Sequence, residues 1–216
     1  VRDDRPAAST DAPAVWFAYS PDRKGRWPQE HLKRFTGQLQ ADGYAGFNAL
    51  YENGPVNEVA CWAHVRRKFV DIADKDRLPI AIQAIERISK LYAVEKQIRG
   101  QPPDQRLAIR QAHAGPLLDE LKQWLHDQLS KTLKKSSLAN AIRYALTRWT
   151  ALTRYVDDGH LEIDNNAVER EIRPIVMARS LCTPFISACK HWNLILRIDS
   201  TRAAFTGHRL TNRFGV

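Results

Sequence analysis

The chain has 216 residues, 44% hydrophobic and 26% charged, and a formal net charge of +9, a composition that excludes a disordered or membrane-embedded class. No apolar run approaches the roughly 20 residues needed to cross a bilayer. The sequence pI near 9.7 points to a polyanionic partner, nucleic acid above all.

The charge is uneven. Residues 178–216 hold six Lys/Arg against one acid, Asp199, which leaves a mildly basic +4 for residues 1–177. Three cysteines (Cys61, Cys182, Cys189) are too few and too odd for a disulfide scaffold, so a reducing, cytoplasmic setting is expected. The start "VRDDRPAAST" has no basic-then-apolar signal organisation, and export is not expected. It also carries no initiator Met, and Met177 is the single methionine, so the chain reads as a fragment or a processed product.

In chain order, Ala14–Tyr19 has the aromatic and β-branched density of a strand, and "SPDRKG" is a turn. "PQEHLKRFTGQL" predicts a helix opening at Pro28, with Leu32, Phe35 and Leu39 on one face. Asp42 falls where a short apolar strand gives way to a turn punctuated by Gly43 and Gly46. Val56–Trp62 predicts a strand running into a helix.

From Leu78 the texture changes to long amphipathic helices. The first places Ile82, Ile85, Ile88 (or Ser89), Tyr92 and Ile98 at helical spacing and stops at Gly100. The second starts at Pro102-Pro103, with Pro116 expected to kink or divide it. The third, from "SLANAIRYAL", ends at Gly159. These read as a bundle buried against itself, with nothing that asks for a cofactor. After Met177 the pattern breaks down into apolar and basic residues without sustained helical or strand period, and without any Glu.

Several residues can carry chemistry. Asn166-x-x-Glu169 has capping-box spacing, and Glu169 and Arg173 form an i,i+4 ion pair, so a structural role accounts for Glu169 locally. Asp42, at a strand end followed by glycines, suits a hard-oxygen ligand for a divalent cation, or simply an Asp favouring a turn. Cys61-x-x-His64 resembles half a zinc site, but no second pair follows at finger spacing. Arg66-Arg67-Lys68 is a compact basic step on a helix, fit for phosphate contact or for a solvated face. P-loop, dinucleotide and nucleophile signatures are absent from the sequence.

The segments "VRDDRP", "YSPDRKG", "LQADGYAGFNALYE", "ACWAHVRRKF", "LDELKQWL" and "EIDNNAVEREIRPIVMAR" form an ordered set. In this order and spacing the chain resembles the DDE transposases of bacterial insertion sequences, of the IS-sixty-six type, from Val1 to about Arg179. The resemblance implies an α/β, RNase H-like fold interrupted by a large all-helical insertion. It divides the chain into a partial catalytic core (1–77), the insertion (78–159), a final catalytic helix (160–179) and an atypical basic tail (180–216). It places the second catalytic Asp on Asp42 and the catalytic Glu on Glu169, both ligands in a two-metal Mg²⁺ (or Mn²⁺) site that cleaves and joins DNA. Arg170 and Arg173, near Glu169 by helical spacing, become candidates for phosphate contact beside Arg66, Arg67 and Lys68.

The same resemblance implies that the first catalytic Asp lies upstream of "VRDDRP", on the first strand. Asp3 and Asp4 do not take its place, so the sheet is expected to be incomplete and the chain inactive. The tail after Arg179 is expected to be out of frame. The implied partner is DNA, at element ends and target, with a homo-oligomer as a further expectation and no membrane or small-molecule substrate. The competing expectations are a non-catalytic helical module that binds DNA or protein, and an unstable, non-functional translation product.

Overall fold

The structure is a computed structural model that describes residues 14–19, 22, 24–170 and 192–198. Among the described residues, four strands form two separate pairs. Strand β1 (Ala14–Tyr19) pairs antiparallel with β4 (Trp192–Ile198), from Ala14 opposite Ile198 to Tyr19 opposite Trp192. Strand β2 (Gly37–Ala41) runs parallel to β3 (Val56–Ala60), in register from Gly37 opposite Val56 to Ala41 opposite Ala60. Strand β4 falls within the 180–216 tail. "WNLILRI" is a short apolar run that needs no alternation to pair.

Helix α1 (Arg26–Leu32) is shorter than its sequence pattern suggested. The chain turns after Leu32, passes Gly37 at φ +112°, and carries Leu39 into β2 instead of onto a helix face. Glycine alone tolerates that backbone without strain, and it sets the start of the strand. Helix α2 (Asn48–Asn53) then connects β2 to β3 and makes their parallel pairing possible. Leu32, Leu39, Ala41, Phe47, Leu50 and Val56 bury a small core beneath this unit.

The larger core is helical. Helix α3 (Trp62–Asp76) contributes Trp62, Val65, Phe69 and Ile72, and α4 (Pro79–Gln97) packs along it. The α4 helix forms as expected, but its buried face is Ala81, Ala84, Ile88, Leu91 and Val94, and Ile82 is 44% exposed. Ile85 and Tyr92 pack against the same core and Ile98 is buried, so of the expected face only Ile82 turns outward.

Helix α5 (Pro103–Ile109) continues through a π-helical stretch, Arg110–Ala114, into α6 (Gly115–Lys131). Pro116 therefore does not divide the helix. It sits in the first turn of α6, and the widened π turn supplies the slack that a residue without an N–H requires. Helix α7 (Ser137–Thr147) starts on a side-chain cap, the Ser136 hydroxyl accepting the Ala139 N–H at 3.1 Å. A break at Arg148 separates it from α8 (Trp149–Thr153), and a 3₁₀ turn, Arg154–Asp157, leads to Gly159. A Cβ at Gly159 would stand 1.8 Å from the Pro103 carbonyl oxygen, so this return to α5 admits only glycine.

Buried charges lock that return. Arg110 donates from Nε and Nη2 to the two Glu95 carboxylate oxygens at 2.8 and 2.7 Å, and from Nη1 to the carbonyls of Tyr155 and Asp158 at 2.9 and 3.0 Å. Arg106 donates from Nη2 to Glu162 at 2.6 Å and to the Leu161 carbonyl at 3.3 Å. Burial nevertheless raises the Glu162 carboxyl above its ordinary range. Two arginines from the helical segment thus fix the chain just before residues 163–170.

Candidate catalytic site

The parallel pair sets the site. Asp42 and Cys61 are the first residues past the aligned ends, Ala41 and Ala60, so both leave the sheet at its carboxyl edge. That edge is where ligands gather in open α/β sheets, because the strand-to-helix turns converge there. Asp42 is exposed, and its Oδ1 accepts the Tyr44 N–H at 3.0 Å in a side-chain-closed turn.

The turn is also held from the helical segment. The Tyr144 hydroxyl donates to the Asp42 carbonyl and Arg148 Nη2 to the Gly43 carbonyl, both at 3.4 Å. Gly43 has φ +78°, and a Cβ there would meet the Tyr144 hydroxyl at 2.9 Å. Both facts require glycine after Asp42. Arg148 and Lys68 lie over the Tyr144 ring at 4.6 and 4.4 Å. Arg148 Nε also stands 3.8 Å from Glu58 Oε1 on β3. Burial first, then the Glu58 and Asp42 carboxylates, keep the nearby Tyr51 hydroxyl protonated.

Glu169 arrives at the same edge from the far end of the sequence. Gln40 Nε2 on β2 donates to the Glu162 carbonyl at 2.6 Å, and the Trp62 N–H donates to the Ile163 carbonyl at 3.1 Å. The Asn165 N–H reaches Cys61 Sγ at 3.4 Å. A helix then runs over 166–170, and Glu169 Oε1 lies 3.5 Å from His64 Nε2 on the first turn of α3.

The capping box expected of Glu169 does not form. Asp164 takes its place: Oδ1 accepts the Asn166 N–H at 3.0 Å and Oδ2 the Asn166 side-chain amide at 2.7 Å. The Glu169 N–H instead makes the ordinary helical bond to the Asn165 carbonyl at 3.2 Å. Its carboxylate is free of the helix start and 43% exposed.

The basic step divides. Arg66 and Arg67 are exposed and line a groove of about 550 Å³ together with Ser89, Tyr92 and Asn166. Lys68 turns away to the Tyr144 ring. Arg170 is exposed at the end of the 166–170 helix, and Arg173 lies outside the described residues. Cys61 is a free, buried thiol, pushed up to about 11 chiefly by burial, and among the described residues no group of three or more His, Cys, Asp or Glu could hold a metal ion.

Comparison with known proteins decides the family. The model of the Transposase IS66 family matches residues 1–188. The chain belongs to the IS66 transposase family. Its match runs past Arg179, where the sequence resemblance was expected to end. Among similar chains, uncharacterized protein y4hP of Sinorhizobium fredii is 36% identical over 195 residues, covering 83% of this chain and 35% of that protein. Uncharacterized protein y4qI of the same organism is 37% identical over 186 residues, covering 83% of this chain and 34% of its own length. The IS66 chain therefore spans about a third of the length of the curated relatives it matches. No solved structure matches it. None of the described helices is long and apolar enough to cross a membrane.

Sequence reasoning missed Tyr144, Arg148, Gln40 and Asp164, which hold the Asp42 turn or the chain leading to Glu169. The first three act across the chain and leave no local signal. Asp164 did have one, since an Asp two residues before a helix start is a turn-closing acceptor. The Cys61-x-x-His64 spacing was visible, but its partners, Asn165 and Glu169, were not.

Proposed function

We propose that this chain is part of the catalytic region of a DDE transposase, in which Asp42 and Glu169 are two of the carboxylates that hold Mg²⁺ or Mn²⁺ during DNA cleavage and strand transfer. The observation that carries the reading is convergence. Asp42 follows β2 at the carboxyl edge of the parallel pair, and His64, on the first turn of the helix that follows β3, faces Glu169 at 3.5 Å. A parallel β–α–β unit with its carboxylates at that edge also supports the RNase H-like reading of the fold.

The donor chemistry fits the cation. Asp42 has one carboxylate oxygen engaged by the Tyr44 N–H, and Glu169 keeps an exposed carboxylate; both are hard oxygen ligands. As the described residues contain no cluster of three, these two would supply part of the coordination shell. When bound, the metal would supply activation of the attacking oxygen and stabilisation of the leaving one.

The protein's own residues do the rest. Tyr144 and Arg148 hold the Asp42 turn, while Arg106, Asp164 and Trp62 fix the approach to Glu169. Arg66 and Arg67 present guanidinium groups to the DNA backbone along their groove, next to Asn166. The helical-module reading shares this groove and differs in needing no carboxylate. In a complete transposase containing this segment, Asp42→Asn or Glu169→Gln should abolish Mg²⁺-dependent strand transfer and leave element-end binding intact. Strand transfer that persists in both variants would favour the non-catalytic alternative.

A further inference from the structure

The Cys-x-x-His motif is unused by the reading above, and its partners are specific. Cys61 and Trp62 begin α3, where the first amides of a helix have no intrahelical acceptor. The Trp62 amide finds one across the chain, in the Ile163 carbonyl at 3.1 Å. Cys61 Sγ accepts the Asn165 N–H at 3.4 Å, a donor left over because Asn165 precedes the 166–170 helix. Two residues beyond Trp62, within the first turn of α3, His64 Nε2 faces Glu169 Oε1 at 3.5 Å. Residues 61, 62 and 64 therefore meet residues 165, 163 and 169 at three points spread over both segments.

We infer that Cys61 and His64 are positioning residues that set the Glu169 carboxylate at the edge of the parallel pair: the thiol fixes the register of the Asn165 backbone and the imidazole orients the carboxylate itself. The motif is then a clasp between two segments, and zinc has no part in it. His64 Nδ1 is buried without a partner, so the ring is oriented through Nε2, the atom that faces Glu169. A Cys buried to 3% exposure is sheltered from metal and oxidant alike, and suits an internal acceptor. For its consequence in catalysis the inference rests on the metal-ligand reading of Glu169; for its geometry it does not.

The test is nuclear magnetic resonance on the chain labelled with ¹³C at the glutamate carboxyls, with the Glu169 signal identified by its loss in Glu169→Gln. His64→Leu should displace the Glu169 carboxyl resonance, and His64→Gln, whose amide can donate from nearly the same place, should restore it. Cys61→Ala should make Asn165 amide exchange roughly five- to tenfold faster, and Cys61→Ser should keep it slow. An unmoved Glu169 signal in His64→Leu, or no rescue by His64→Gln, would overturn the orienting role of the imidazole. Unchanged Asn165 exchange in Cys61→Ala would overturn that of the thiol. Added Mn²⁺ separates the two readings. If Mn²⁺ fails to broaden Glu169 in the unaltered chain while His64→Leu still displaces its resonance, the metal reading fails and the clasp stands.

Discussion

Arg110 grips both carboxylate oxygens of Glu95, at 2.8 and 2.7 Å, with no part of the Arg110 side chain exposed. The same guanidinium holds the Tyr155 and Asp158 carbonyls, so one side chain ties α4 to the segment that leads back to Glu169. Removing one member of a buried pair strands the other charge. Arg110→Ala should therefore cost about 3–5 kcal/mol in urea unfolding, against less than about 1 kcal/mol for the exposed pair partner in Lys33→Ala. Equal, small losses would show that the pair is not buried in solution.

Glu169 should be dispensable for stability. Because Asp164, not Glu169, closes the helix start, Asp164→Ala should destabilise the chain by about 0.5–2 kcal/mol, the usual loss for a capping side chain. Glu169→Gln should stay within about 0.5 kcal/mol of the unaltered chain. Thermal and urea melts of the two variants measure this directly, and the reverse order would restore the capping box.

Alkaline pH should loosen the fold. Burial pushes the Cys61 thiol from 9.0 up to about 11 and raises the Tyr92 and Tyr155 hydroxyls above their ordinary 10.0. In each case the folded state keeps a proton that the unfolded chain releases, so stability falls as pH rises through the interval between the two values. For Cys61 that interval is roughly pH 9 to 11. Cys61→Ser should flatten the fall in unfolding free energy over this range, and an unchanged slope would contradict the burial of the thiol.

The basic step should act unequally on DNA. Arg66 and Arg67 face the groove beside Asn166, whereas Lys68 sits on the Tyr144 ring. If each arginine neutralises one phosphate, Arg66→Ala and Arg67→Ala should each reduce the slope of log K against log salt by about 0.9. Lys68→Ala should leave the slope nearly unchanged. Fluorescence anisotropy with element-end duplex at several salt concentrations gives the comparison. An equal loss for all three would mean that the groove has no special part in binding.

The elements nearest the site were the most legible in the sequence. Strand Val56–Ala60 and helix Trp62–Asp76 follow from β-branched density passing into a helical pattern, and Gly43 marks the turn after Asp42. Leu39 was misplaced because a helical spacing of Leu32, Phe35 and Leu39 survives across a turn that only the Gly37 backbone reveals. On α4 the expected face is buried or packed on the core at Ile85, Ile88, Tyr92 and Ile98, and Ile82 alone of these turns outward. For Glu169 the local pattern suggested a cap, and the competing acceptor, Asp164, stood two residues before the helix. Contacts such as Tyr144 to Asp42 and His64 to Glu169 join distant parts of the chain, where spacing carries no information.

If Asp42 and Glu169 hold one divalent cation, as proposed, affinity cleavage with Fe²⁺ in place of Mg²⁺ should reveal it. With ascorbate and peroxide, radicals released at the bound iron should cut the polypeptide near both Asp42 and Glu169. Excess Mg²⁺, Asp42→Asn or Glu169→Gln should suppress both cuts together. Cleavage at one position alone, or cuts that survive both substitutions, would contradict a shared site.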